Sequence, residues 1–118
     1  MARNEQKAAM VTKESVFEAE HAKLTEIFKD IEEPKRRLVE GLITDASFLY
    51  SENWALRQLI GQTGSVKVHP KDNSLQKTVP AATQFLKNSN SYAVIIKALN
   101  SILSKNLLEQ DDDLEEFE

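Results

Sequence analysis

Two histidines, His21 and His69, and the consecutive bases Lys35-Arg36-Arg37 are the residues of this chain whose types most invite chemistry. A metal site needs several ligands at short helical or loop spacing. His21 stands on a polar-flanked helical stretch with no second histidine at such spacing, so a solvated role is expected. His69 precedes Pro70, and its nearest carboxylate in sequence is Asp72, which suits a loop contact. Serines and aspartates are present without a G-x-S-x-G elbow. The GQTG at 61–64 supplies two glycines but no following Gly-Lys-Ser/Thr, so it is not a phosphate loop. With no cysteine, neither disulfides nor thiolate metal sites are available. These residues predict no enzyme, no metal and no cofactor.

The bases point elsewhere. Lys35, Arg36 and Arg37 fall in the first turn of a strongly signalled helix, where cations oppose the helix dipole. Pairing with Glu32, Glu33 and Glu40 would neutralise them. Contact with nucleic acid phosphates, which releases condensed counterions, is the functional alternative. Lys67, Lys71 and Lys77 form a second candidate patch in a loop.

Charge is distributed unevenly over the 118 residues, whose net charge is −4. The last ten, EQDDDLEEFE, carry seven carboxylates and no base, which leaves residues 1–108 net positive. Residues 67–105 hold six lysines against Asp72 alone. Within the tail, Leu114 and Phe117 lie three apart among Asp111, Asp112, Asp113, Glu115 and Glu116. Apolar residues at helical spacing in an acidic segment suit folding against a basic, grooved partner. No apolar run approaches the ~20 residues of a membrane span, and no leader pattern is seen at the start, so an intracellular protein is expected.

The elements that must position these groups are helices. Glu33–Gly61 places Leu38, Leu42, Ala46, Leu49, Asn53, Leu56 and Ile60 at threes and fours, widened by Val39, Ile43, Tyr50 and Trp54. This predicts a helix over 34–60, opened by Pro34 and stopped at Gly61. A shorter helix over 12–31, capped by Thr12, presents Phe17, Leu24, Phe28 and Ile31. A third, over 79–108, carries Tyr92, Ile96, Leu99 and Leu103 at nearly coiled-coil spacing and is expected to run unbroken through the poor helix formers at 87–91. Residues 61–78 read as a loop, with a short extended piece at 65–69. Residues 1–11 read as a flexible start and 109–118 as an acidic tail. The expected fold is all-α: an N-terminal helix on a long antiparallel helical hairpin. Its apolar stripes are wider than one chain needs, so it is expected to oligomerise through Leu49, Trp54, Leu56, Tyr92, Ile96, Leu99 and Leu103.

About two thirds of the chain resembles the short, helix-only small terminase subunits of phages of Gram-positive bacteria. The resemblance rests on IEEPKRRLVEGLI at 31–43, the amphipathic half through Ile60, the Lys77-x-x-Pro80 helix start, and Tyr92-x-x-Ile95-Ile96-Lys97-x-Leu99-x-x-Ile102-Leu103. It implies a ring that binds double-stranded phage DNA in the cytoplasm of an infected bacterium. The ring would recruit or regulate a large subunit carrying the packaging ATPase and nuclease, with Asp111–Phe117 docking onto that subunit. Residues 1–33 lack the second, recognition helix with which many members read DNA. What remains is backbone contact by Lys35, Arg36, Arg37, Lys67, Lys71 and Lys77. Two other functions fit the same residues: a helical scaffold without nucleic acid binding, and a small inhibitor whose acidic tail mimics DNA.

Overall fold

A computed structural model describes the backbone of residues 10–64, 66–69 and 72–116, with side chains outside 65–78 and 111–118. Three helices build the body: α1 (Lys13–Ile27), α2 (Lys35–Thr63) and α3 (Pro80–Glu116). Between α2 and α3 lies a two-stranded antiparallel ribbon, β1 (Val66–His69) with β2 (Asp72–Thr78). Where a loop was expected over 61–78, residues 66–69 and 72–78 are paired strands, and the extended piece expected at 65–69 has a partner strand over its described residues 66–69.

Helix α1 begins as its capping residues dictate. Thr12 accepts from the Ser15 amide while the Ser15 hydroxyl accepts from the Thr12 amide, a reciprocal box that satisfies two donors. The helix ends at Ile27, earlier than the expected 31, because the chain turns at Phe28 to bury Ile31 beneath the corner. Pro34 stands just before the first residue of α2. Helix α2 runs past Gly61 to Thr63 and is closed by Gly64, whose φ of 81° lies where side chains are disfavoured. The stop expected at Gly61 is thus displaced by one turn.

The core gathers at one end of the hairpin. Leu24, Phe28 and Ile31 meet Val39, Ile43 and Ala46 of α2 and Leu99 of α3, with Leu42, Tyr92, Ile95, Ile96, Ile102 and Leu103 packed around them. Further along α2 the buried residues are Ser47, Ser51 and Asn53. The two serines return their hydroxyls to carbonyls of their own helix, Ile43 at 2.7 Å and Phe48 at 2.9 Å. Asn53 reaches across to α3, donating from Nδ2 to the Phe85 carbonyl (3.3 Å) and to Ser89 Oγ (3.0 Å). Gln84 bonds Asn88 one turn on at 2.8 Å. These bonds engage the segment 87–91, across which α3 is continuous as expected. Beyond residue 108, where a separate tail was expected, α3 continues to Glu116.

Candidate nucleic-acid interface

The three adjacent bases occupy different environments. Lys35 is half-buried and places Nζ 3.4 Å from both carboxylate oxygens of Glu109 on α3. Arg36 donates from Nε to the Ile31 carbonyl (3.2 Å) and from Nη2 to the Lys29 carbonyl (3.3 Å). It thereby satisfies acceptors at the α1–α2 corner that no helix ladder reaches. Arg37 is exposed, and among the described residues it forms no ion pair. Glu32, Glu33 and Glu40 do not take up the triplet, so the expected local neutralisation is replaced by one long-range pair and two carbonyl bonds. Of the three, Arg37 is the base left facing solvent without an ion pair among the described residues.

The ribbon sets two members of the second patch in register. Lys67 of β1 and Lys77 of β2 are register partners. Directly opposed residues of an antiparallel pair share a face with Cβ atoms about 5 Å apart, and like charges so placed repel. Lys71 and the side chains of Lys67 and Lys77 lie outside the described residues. His69 and Asp72 are also register partners, next to an irregularity between Val68 and His69. A two-stranded ribbon is one of the two elements that a DNA major groove admits.

No known protein family, curated protein or solved structure matches this chain.

The residues expected at an oligomer interface are largely used within one chain. Leu99 is completely buried in the core, which removes it from any external contact. Tyr92, Ile96 and Leu103 pack against that core, while Leu49, Trp54 and Leu56 are half-buried. The large apolar residues most open to solvent are others, including Phe48, Leu59, Leu86, Val94, Leu107 and Leu108. Spacing alone missed them because a stripe shared between a partner helix and solvent has one period. Of the expected docking segment, Asp111–Glu116 are helical in backbone; their side chains, and Phe117 altogether, lie outside the described residues.

Two polar sites escaped the sequence reading. Glu20, flanking the expected face, is buried, accepts a 2.8 Å hydrogen bond from the Tyr92 hydroxyl and pairs with Lys23 at 2.9 Å. Burial, then the bond to Glu20, raises the Tyr92 hydroxyl well above the ordinary phenol range. The same carboxylate, through its hydrogen bond, raises Lys23, whose ammonium also lies 5.7 Å from the Tyr50 ring centroid. Glu20, Leu24 and Phe28 fall four apart, and that spacing was the available signal. His21 is not simply solvated: it stacks on Phe17 at 5.7 Å, with Thr25 Oγ1 and Thr44 Oγ1 each 3.5 Å from a ring nitrogen. Among the described residues no group of three His, Asp or Glu is placed to hold a metal. No described helix is long and apolar enough to cross a membrane.

Proposed function

We propose that this chain is an adaptor of the small-terminase type. It assembles in several copies, binds double-stranded DNA through phosphate contacts, and passes it to a separate packaging motor in an infected bacterial cell. The observation that carries the reading is the register pairing of Lys67 with Lys77. Opposing two lysines across a ribbon costs stability in isolation, and a polyanion laid along that face reverses the sign of the interaction. Arg37 adds a third base without a fold-holding bond among the described residues. Contacts of this kind position a duplex without reading its bases.

The test is DNA binding by fluorescence anisotropy over a salt series. Each phosphate contact contributes a slope of about −0.9 in log K against log salt. Lys67→Ala/Lys77→Ala is expected to weaken binding to all duplex sequences alike and to flatten the slope by about 2. Binding that ignores salt, or none at all, overturns the reading. The scaffold alternative draws support from Lys35 and Arg36, whose cationic groups are occupied by Glu109 and two carbonyls. It predicts assembly with no DNA retention in the same titration.

A further inference from the structure

The α2–α3 hairpin has two unlike ends. At one, Arg57 and Ile60 of α2 and Ala82, Phe85 and Leu86 of α3 line an open apolar groove of about 290 Å³. Leu86 is 63% exposed there, an apolar side chain with little covering it. The rim is basic. The Arg57 guanidinium lies 5.3 Å from the Phe85 ring centroid, and Lys87 is exposed on the next position of α3 after Leu86. The lysine-bearing ribbon leaves from this same end, directly after α2.

At the other end, the Lys35–Glu109 pair marks where α2 begins, and α3 runs on through Glu116. Seven further residues extend a helix by about 10 Å. Leu103, Leu107 and Leu114 follow one another at helical spacings of four and seven along α3. Leu107 and Leu108 are both more than half exposed. In sequence, acidic residues surround Leu114 on both sides. This end is a helical arm that is acidic in sequence, with Leu107 and Leu108 open to solvent.

We infer that the groove receives the α3 arm of a second copy of this chain. Sign and polarity match: the acidic sequence of the arm suits Arg57 and Lys87, and Leu107 and Leu108 suit the apolar floor. The arm cannot serve its own groove, because the twenty-two residues from Lys35 to Arg57 separate them by about 33 Å of rigid helix. The contact joins unlike surfaces, and two copies can exchange arms reciprocally as a closed pair. Where a copy instead gives its arm to one neighbour and its groove to another, the contact closes into a ring or continues as a filament according to its rotation. The inference rests on the assembly part of the packaging reading, names the contact that carries it, and holds without DNA.

Two full-length variants test it. Arg57→Glu/Leu86→Glu spoils the groove, and Leu107→Ser/Leu114→Ser spoils the arm; Arg57, Leu86 and Leu107 are exposed. Circular dichroism checks that both variants keep their helices, and light scattering with native mass spectrometry reads the copy number. The wild type is expected to form a multi-copy assembly, and each variant alone a monomer. Mixed in equal amounts, the variants are expected to form a heterodimer and nothing larger, since each retains one working end. A monomeric wild type, a variant that assembles like the wild type, or a mixture that stays monomeric overturns the inference. If the arm variant assembles normally but no longer binds a packaging motor, the arm belongs to that partner instead. DNA binding by the monomeric arm variant is read separately, so failure of one idea is not mistaken for failure of the other.

Discussion

The Tyr92 hydroxyl donates a 2.8 Å hydrogen bond to the buried carboxylate of Glu20, joining α3 to α1 across seventy-two residues of sequence. A buried carboxylate that loses a donor bears a desolvation cost of about 1–3 kcal/mol. Tyr92→Phe is expected to lower the unfolding free energy by about that amount. Glu20→Gln, which keeps an acceptor for the phenol and removes the buried charge, is expected to cost less. Urea unfolding followed at 222 nm, a roughly standard helix band, ranks the two.

The same pair sets an alkaline limit. Tyr92 is held above the ordinary phenol value of 10.0, and Lys23 above 10.5. Both therefore keep their protons in the folded chain where the unfolded chain releases them. Raised values of this kind contribute stability that is complete below the unfolded values and is lost as pH rises through the folded ones. Stability is expected to decline above about pH 10, and Tyr92→Phe to shallow that decline. Urea midpoints collected across the alkaline range measure both.

Arg36 and Arg37 are neighbours with separable tasks. Arg36→Ala removes the two carbonyl bonds at the α1–α2 corner and is expected to cost about 1–3 kcal/mol of stability. Arg37→Ala is expected to leave the melting temperature nearly unchanged and to reduce the salt slope of DNA binding by about 1. Thermal melts and anisotropy on the same two proteins distinguish the roles.

The glycines split likewise. A Cβ at Gly41 or Gly61 would meet nothing within 4 Å, and both lie inside α2. Alanine at either site is expected to stabilise by about 0.5–1 kcal/mol through helix propensity. Gly64 has a positive φ, so Gly64→Ala is expected to destabilise by about 1 kcal/mol or more. Chemical denaturation of the three single variants shows whether the signs divide this way.

The three helices are legible in the sequence because their apolar residues recur at threes and fours and because Thr12 and the glycine-bearing stretch after Ile60 punctuate them. The polar side of the packing is not. Glu20 and Ser89 read as solvent-facing or helix-weakening by type, and Asn53 as an odd polar member of an apolar stripe, yet each takes a hydrogen bond across helices with a partner distant in sequence, Asn53 through Nδ2. The candidate interface is legible only in part. Spacing gathers Tyr92, Ile96, Leu99 and Leu103 on one stripe without telling which protein covers it, and this chain's own core covers most of it. The continuation of α3 through the acidic residues was equally hidden, since carboxylates near a helix C-terminus oppose the dipole.

The uneven placement of the core has a mechanical consequence. Seven buried apolar residues clamp the α1 end of the hairpin, whereas toward the groove the buried positions are Ser47, Ser51, Asn53, Ala81 and Asn88. Regions with few buried apolar contacts open at lower free energy than the whole domain. The chain thus has a stiff root and a compliant tip, and the tip carries the groove and the ribbon. In a closed assembly, angular misfit between neighbours can be absorbed at the tips while every root keeps its packing. Were copies to close on a duplex as proposed, they could differ slightly in tilt, as a duplex without the assembly's symmetry would require.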